Sequence, residues 1–285
     1  MTRPRSVEDF GSNRVTRALL SALTYLLGIL FFFPVLWMVL NGFKTEAQAN
    51  GTPVFFFKPT LEQYRLVTKQ IPGLASFNEV FTNSFVIVLT STLIVMALAV
   101  PTAFALSIRP VGKWKDVLFF FISTKFLPVV AGILPVYIIM KEFDLLNTRW
   151  SLIVMYTALN LPLAVWMLHS FFKEVPTELI EAAQIDGASL RSQLTSVVLP
   201  IVVPGLAATG LLCFIFAWNE FFLSLQLNTS GAQTASVWVT GFESQREDFI
   251  AKLSAASTLV VLPVVLAGWI AQKRMIRGLA MGAIK

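Results

Sequence analysis

The chain has 285 residues, of which 56% are hydrophobic and only 13% are charged, and its formal net charge is +6. A soluble domain usually carries about a quarter charged residues, so this composition excludes an ordinary soluble protein. The positive charge does not indicate nucleic acid binding, because no basic stripe interleaved with aromatic residues accompanies it. The sequence therefore predicts a protein built into a membrane.

Apolar windows long enough to cross a membrane follow one another along the chain. A helix needs roughly 20 mainly apolar residues to cross a hydrocarbon core of about 30 Å. Six windows reach this length and predict an all-α, polytopic protein with six transmembrane helices. Their predicted limits are about 17–40, 82–107, 117–140, 151–171, 201–225 and 254–272. We expect one transmembrane domain to account for residues 1–285, with 172–200 as a polar connection.

Basic residues beside the predicted spans indicate the orientation of the protein. Arg3 and Arg5 precede the first span, and Arg109, Lys113 and Lys115 lie between the second and third spans. Short cytoplasmic loops of membrane proteins carry an excess of lysine and arginine. We therefore expect a multi-pass protein of the cell membrane with both chain ends inside (N-in, C-in).

The third predicted span contains a charge and two prolines. An intramembrane charge costs at least about 2.5 kcal/mol and normally faces a bundle interior or a water-filled cavity. Lys125 is therefore a candidate for a solute path, and the alternative is that it pairs with a companion subunit or fixes helix packing. Pro128 and Pro135 each remove a backbone donor and predict bends in this helix, whether or not it lines a path.

The most informative polar segment lies between the fourth and fifth spans. It reads Glu181-Ala182-Ala183-Gln184-Ile185-Asp186-Gly187-Ala188 and is followed by Leu199-Pro200. The alanines favour a helix with little bulk, Gly187 can end it in the left-handed conformation, and Ser189 can cap a second helix. The pattern predicts an elbow of two short helices that docks into another protein. The alternative is an amphipathic helix on lipid headgroups, which fits its small, acidic exposed face less well.

A polar group interrupts the outer part of the fifth predicted span. Trp218, Asn219 and Glu220 follow one another there. Together they provide donors, acceptors and an aromatic face, which suits a solute rich in hydroxyl groups. The alternative for Glu220 is a structural ion pair with a companion subunit. The following outer segment, 226–252, is rich in serine, threonine, asparagine and glycine, which suits either a hydrophilic partner or a solvated connector.

The residues needed for several kinds of chemistry are missing from the sequence. No G-x-x-x-x-G-K-[ST] phosphate loop occurs, so we expect the chain neither to bind nor to hydrolyse ATP. His169 is the only histidine and Cys213 the only cysteine, so neither a metal cluster nor a histidine-based nucleophilic triad can be assembled. We expect a transport subunit, not an enzyme, without catalytic residues, metal or bound cofactor.

Several stretches resemble the permease subunits of binding-protein-dependent ABC importers. The match to their EAA loop rests on Glu181, Ala182, Ala183, Asp186, Gly187, Ala188, Leu199 and Pro200. Similarity to the carbohydrate branch, the maltose-transporter type, rests on Ser123-Thr124-Lys125-Phe126-Leu127-Pro128, Pro204-Gly205-Leu206, Ala217-Trp218-Asn219-Glu220-Phe221, Arg277-Gly278-Leu279 and Gly282-Ala283-Ile284-Lys285. The resemblance runs from about residue 15 to the C-terminus.

This resemblance implies the ABC importer permease fold and the ATP-driven import of a sugar, polyol or related glycoside through a bacterial inner membrane. It implies as partners a second, non-identical permease, an ATPase dimer that carries ATP and Mg, an extracytoplasmic solute-binding protein and membrane lipid, but no nucleic acid. The EAA loop then couples to the ATPase, which the C-terminal tail also approaches. Two other classes stay open: a stand-alone secondary carrier with Lys125 or Glu220 as its ion-coupling charge, and a structural membrane subunit.

Overall fold

The computed structural model describes residues 14–69, 73–108, 112–243 and 249–282, with side chains from residue 15 to residue 272. Arg3, Arg5 and Arg109, on which the expected orientation partly depends, and the side chains of the C-terminal tail lie outside the described residues. The described chain is helical and contains no strand, which confirms the predicted all-α class. Its helices are α1 (Arg14–Gly42), α2 (Glu46–Ala49), α3 (Glu62–Thr68), α4 (Phe77–Ser107), α5 (Trp114–Ser123), α6 (Val129–Glu142), α7 (Arg149–Phe172), α8 (Thr177–Ile185), α9 (Leu190–Ser192), α10 (Leu199–Trp218), α11 (Phe222–Leu227), α12 (Ala235–Trp238) and α13 (Ile250–Gly282).

Five of the described helices, α1, α4, α7, α10 and α13, are long and apolar enough to cross a membrane. A sixth span arises only if α5 and α6 are counted together, and these two helices meet at an angle of 92°. The polytopic fold class is therefore confirmed with five or six candidate spans. α1 is the most exposed of them: no residue of its most apolar window is buried within the chain.

The third predicted span is broken, whereas the sequence indicated a single bent helix. α5 ends at Ser123, a short 3₁₀ turn covers Thr124–Phe126, and α6 begins at Val129. Leu127 is extended, with ψ 119°, because the ring of a following proline disfavours the helical conformation. Pro128 then precedes the first residue of α6, where its missing N–H is not needed.

The fifth predicted span also ends earlier than expected. α10 stops at Trp218, where the prediction continued to about residue 225. Asn219, Glu220 and Phe221 separate it from the short helix α11. The polar group predicted inside a span therefore occupies a break between two helices.

The described residues form two compact units. The first unit contains the residues up to Val67 and the start of α13 as far as Thr258. Within it, the Glu46 carboxylate accepts hydrogen bonds from the backbone N–H groups of Ala251 at 3.0 Å and Lys252 at 2.9 Å. Glu46 thus satisfies two donors in the first turn of α13, which have no partner inside that helix.

Lys44 in the first unit is buried, with 1% of its surface exposed. Its Nζ lies 4.2 Å from the Trp37 ring and 5.1 Å from the Phe57 ring, and it donates to Asn41 Oδ1 at 2.9 Å. Burial lowers the pKa of the Lys44 ammonium group, whereas the two aromatic faces favour its charged form. This cluster fixes the chain where it leaves α1.

The second unit contains residues from Thr68 to Glu243 and from Leu259 onward. Its core forms where α4, α7 and α10 pack together. Small residues line the contact and are fully buried, among them Ala99, Ala103 and Ala164. Cys213 of α10 is buried in the same core as a free thiol. Interfaces between membrane helices are typically rich in small residues, which allow close approach of the backbones.

Candidate functional site

The predicted elbow forms as two short helices joined at a glycine. α8 ends at Ile185, and Gly187 has φ +75°, which confirms the predicted left-handed turn. Three backbone bonds close this turn: Asp186 N to Ala182 O, Gly187 N to Gln184 O, and Ala188 N to Ala183 O, at 2.9–3.0 Å. Such bonds satisfy carbonyl groups that a helix end leaves free.

The second half of the elbow begins with the predicted cap and then departs from an α-helix. Ser189 Oγ accepts a hydrogen bond from Ser192 N at 3.2 Å, so the capping prediction is confirmed. α9 is only three residues long and continues as a π-helical turn over Gln193–Val198. In this turn the N–H of Leu199 bonds to the carbonyl of Leu194. The following Pro200 has no N–H to donate, so the regular α-helical ladder cannot continue through it.

The elbow is anchored to the core of the second unit on one side. Ile180 and Ala183 of α8 are buried, with 6% and 9% of their surface exposed. Ile180 belongs to the same apolar core as Phe172 and Val198. Gln193 is buried as well, and its Nε2 donates to Ala188 O at 2.8 Å across the elbow. The elbow is therefore held rigidly to the ends of α7 and α10.

Its other side is exposed and partly apolar. Glu181, Ala182, Asp186 and Gly187 are exposed, and Ala188 is half-buried. Three large apolar side chains stand beside them, with exposed fractions of 87% for Ile185, 59% for Leu190 and 44% for Leu179. The sequence interpretation assigned no role to these three residues. The sequence did contain an indication of this surface, because each of the three is a large apolar residue within an otherwise polar connection.

Lys125 lies in the 3₁₀ turn at the break between α5 and α6. Its Nζ donates to the carbonyl oxygen of Leu159 in α7 at 2.9 Å. Pro162 in the same stretch of α7 disturbs the backbone bonding of the preceding turn. Lys125 is otherwise exposed. It therefore ties the broken span to α7 and leaves further N–H donors facing outward.

Trp218 and Asn219 differ in their surroundings although they are neighbours. Trp218 is buried, with 3% of its surface exposed, and its Nε1 donates to Val260 O at 3.0 Å. Its ring contacts those of Phe85, at 5.0 Å, and Phe214, at 5.7 Å between centroids. Asn219 is exposed and donates from Nδ2 to Ile215 O at 2.8 Å. Only Asn219 presents its side chain to the surroundings in this conformation.

Glu220 is half-buried and acts as a cap for α11. Its carboxylate accepts hydrogen bonds from the N–H of Leu223 at 3.0 Å and of Ser224 at 3.3 Å. Its backbone carbonyl accepts from Tyr156 Oη at 3.3 Å and Ser236 Oγ at 2.8 Å. The structure thus gives Glu220 a capping role, which the sequence interpretation did not consider.

Polar side chains tie the outer segment to the beginnings of α4 and α7. Asn228 is buried and donates to Thr148 O at 3.0 Å and Ser151 Oγ at 2.9 Å. Asn147 Oδ1 accepts from the N–H of Thr229 at 3.0 Å. Additional bonds join Ala235 N to Ser84 Oγ at 2.7 Å and Arg149 Nε to Asn83 Oδ1 at 2.8 Å. The segment up to residue 243 is thus ordered by its own contacts and is not a loose connector.

Within the described ranges, no group of three or more histidine, cysteine, aspartate or glutamate residues could hold a metal ion. The fold and the elbow together define a polytopic, all-α membrane protein with a rigid elbow of short helices on one side. The chain belongs to the family of inner membrane components of binding-protein-dependent transport systems, whose family model matches residues 74–280. It is accordingly a multi-pass membrane protein.

Curated relatives align with nearly the whole chain. A probable ABC transporter permease protein, y4oR of Sinorhizobium fredii, is 34% identical over 96% of this chain and 98% of its own length. The sulfoquinovosyl glycerol transport system permease SmoH of Agrobacterium fabrum is 31% identical over 98% and 96%. The trehalose/maltose transport system permease MalG of Thermococcus litoralis is 32% identical over 94% and 97%.

A solved structure has the same fold. It is a bacterial ABC transporter involved in the import of the acidic polysaccharide alginate. One of its chains superposes with a TM-score of 0.75 and covers 95% of this chain and 99% of its own, at 20% sequence identity.

Proposed function

We propose that the chain is a permease subunit of an ATP-driven importer for a sugar, polyol or related glycoside. The membership of the family supports import with a binding protein, and the relatives named above, which carry sulfoquinovosyl glycerol and trehalose or maltose in their names, support the solute class. The chain works with a second, non-identical permease, an ATPase dimer and an extracytoplasmic solute-binding protein. ATP and Mg bind the ATPase, and this chain carries out no catalysis itself.

The elbow is the observation that carries this proposal. Its buried side is fixed to the core through Ile180, whereas Ile185 and Leu190 stand exposed on the other side next to Glu181 and Asp186. An exposed apolar group with a polar rim is typical of a protein–protein contact. We infer that the elbow docks into a groove of the ATPase, which places the elbow inside the cell. With α5 and α6 together as one span, both chain ends lie inside as well. Rigid connection to α7 and α10 lets movement of the ATPase reach the membrane helices.

Replacing Ile185 by aspartate tests the docking surface. An anchor residue at the centre of an interface is typically worth about 2 kcal/mol or more, so we expect at least roughly tenfold weaker binding of the ATPase. Copurification of the ATPase and uptake into proteoliposomes are measured together. Leu61→Asp is the matched control, because Leu61 is 54% exposed and lies far along the chain from the elbow. Unchanged ATPase binding by Ile185→Asp would contradict the docking proposal.

For the solute path we propose Lys125 and Asn219 as the residues that reach a wet cavity shared with the second permease. Both are exposed and carry hydrogen-bond donors, and a sugar requires only a few such groups if it is to be released again. Trp218 supports the path indirectly, because its bond to Val260 O fixes the end of α10, and Glu220 contributes as a half-buried residue beside Asn219. If Lys125 and Glu220 did not face such a cavity, each charge within the membrane would require a partner of opposite charge.

A pair of substitutions at Glu220 separates solute contact from helix capping. Glu220→Gln keeps an oxygen that can accept from Leu223 N, so the cap remains, whereas Glu220→Ala removes it at a cost of about 1 kcal/mol. If Glu220 contacts solute hydroxyls, the glutamine variant should change uptake modestly and the alanine variant severely, with equal amounts of assembled transporter. Loss of assembly in the alanine variant alone would mean that Glu220 acts only as a cap, and loss of assembly in both variants would mean a structural ion pair. Resistance of Glu220→Cys to water-soluble thiol reagents throughout the transport cycle would disprove the wet cavity.

The alternative of a stand-alone secondary carrier is less well supported. The relatives and the family belong to binding-protein-dependent transport, and Lys125 and Glu220 are used in hydrogen bonds to the backbone. Uptake by the purified chain alone, driven by an ion gradient and independent of ATP, would favour the carrier.

A further inference from the structure

A compact basic surface lies at the end of the second unit where α5 begins and α7 ends. We call it the lysine–tryptophan patch and define it by Lys113, Trp114, Lys115 and Lys173. The Nζ of Lys173 lies 4.4 Å and that of Lys115 5.6 Å from the Trp114 ring. Lys113 occupies the position before the first residue of α5, with φ 60°. All three lysines are exposed.

The indole at the centre of the patch is held in place from the side of α7. Trp114 packs against the His169 ring, with 5.3 Å between centroids, and His169 is 5% exposed. Trp114 also packs against the apolar core of the unit. The two ammonium groups beside this ring are therefore positioned by a fixed surface. Tryptophan is enriched at the level of the lipid headgroups, because its ring is apolar and its N–H is polar.

The positive charges of the patch are not neutralised by the part of the chain that the structure describes. Asp116 and Glu174 are neighbours in sequence, and neither forms an ion pair with the three lysines among the described residues. α5 also begins without a side-chain cap. Its Asp116 and Val117 N–H groups bond to Lys113 O, so the N–H groups of Trp114 and Lys115 add the positive potential of the helix start, which Asp116 offsets in part. An anion bound at the patch would be attracted both by the lysine side chains and by the N-terminus of α5.

An apolar surface continues from the patch along α5. Val117 and Phe120 follow Lys113 at helical spacings of four and seven residues, so the three side chains share one face. Phe119 follows Lys115 in the same way. The exposed fractions of Val117, Phe119 and Phe120 are 36%, 73% and 65%. α5 is apolar beyond its first turn, so the side chains pass from basic to apolar as the helix enters the membrane.

We propose that the lysine–tryptophan patch binds the headgroup of an anionic phospholipid, with its acyl chains along the apolar face of α5. A free phosphate ion would use the lysines but not the apolar side chains, so the continuous surface favours a lipid. Basic pockets between transmembrane helices bind anionic headgroups in this manner. We place this lipid in the inner leaflet, an assignment that rests on the proposed function, which puts the elbow inside the cell. Lipid binding itself does not depend on it.

The test counts the lipids retained by the assembled transporter. The complex of both permeases and the ATPase is extracted from nanodiscs of equal parts phosphatidylglycerol and phosphatidylcholine, and native mass spectrometry measures the bound lipid. A variant with Lys113→Gln, Lys115→Gln and Lys173→Gln should retain less phosphatidylglycerol. Each lysine removed is expected to weaken retention about fivefold, the usual effect of one basic side chain at an anionic membrane surface. Arginine at the same three positions should restore retention.

The matched control replaces Lys58, Lys69 and Lys141 by glutamine, since these three exposed lysines lie in other segments. This control variant should retain as much phosphatidylglycerol as the native transporter. Added inorganic phosphate should not displace the lipid either. Equal retention of phosphatidylcholine, displacement of the lipid by inorganic phosphate, or unchanged retention in the glutamine variant would each overturn the proposal. Gly187→Val, which alters the elbow, should keep full lipid retention, so failure of the coupling proposal and failure of the lipid proposal can be distinguished.

Discussion

Substitution of Gly187 by valine is expected to lower ATPase association and ATP-driven uptake while the membrane helices still insert and pack. Gly187 has φ +75°, and a β-carbon there would meet no atom within 4 Å. The effect therefore comes from backbone strain alone, about 1–2 kcal/mol for a side chain in the left-handed conformation. The local turn relieves that strain by opening, and opening moves Ile185 and Leu190 apart. Uptake and ATPase activity in proteoliposomes measure the result.

Two further variants isolate the effect of the elbow from that of strain in general. Gly187→Asn should retain most of the uptake, because asparagine tolerates the left-handed conformation. Gly73→Val places the same kind of strain outside the elbow, since Gly73 has φ +85° and open space around it. Normal uptake by Gly187→Val, or an equal loss in Gly73→Val, would count against a coupling role of this turn.

Substitution of Gly205 by alanine is expected to lower the stability of the second unit by about 1–3 kcal/mol, the usual cost of overfilling a packed core. A β-carbon at Gly205 would clash with Cγ of Phe171 and lie 2.6 Å from its Cδ2. α10 and α7 would have to move apart at the point where they hold the elbow. The thermal transition of the purified transporter should fall, and uptake should fall with it.

Gly210→Ala in the same helix is the matched control for Gly205. There the nearest atom to a β-carbon is Met96 Sδ at 4.0 Å, an ordinary contact. In a Phe171→Ala background, which lacks the ring, Gly205→Ala should lower the transition temperature less than it does in the native protein. Equal transition temperatures for Gly205→Ala and Gly210→Ala would show that the close approach of these helices is not needed.

The features that the sequence predicted correctly are those set by local chemistry. A glycine in a polar segment after two alanines predicts a left-handed helix end, and Gly187 adopts one. A serine two residues further on predicts a cap, and Ser189 forms it. Both depend on backbone conformation within a few residues. The membrane spans were recognisable for a similar reason, because length and apolarity are properties of a single segment.

The features that the sequence did not reveal depend on contacts between distant segments. Nothing near Trp218 indicates that its N–H donates to Val260 O or that Phe85 of α4 packs against its ring. Likewise, nothing near Lys125 indicates that it reaches a carbonyl 34 residues away in α7, or that α5 and α6 meet at 92° beside it. A proline predicts that a helix bends there, but the direction and size of the bend follow from such packing. The solute-path residues stay a prediction for this reason.

The π-helical turn at Gln193–Val198 has a geometrical consequence for the whole of α10. A turn with i to i+5 bonding contains one residue more than the same turn of an α-helix. One residue corresponds to a rotation of about 100° around the helix axis. The face that α10 turns toward α7, including Gly205, is therefore offset by this angle from the face that an unbroken α-helix starting at Leu190 would present. The orientation of the elbow around the axis of α10 thus depends on the one additional residue in this π-helical turn.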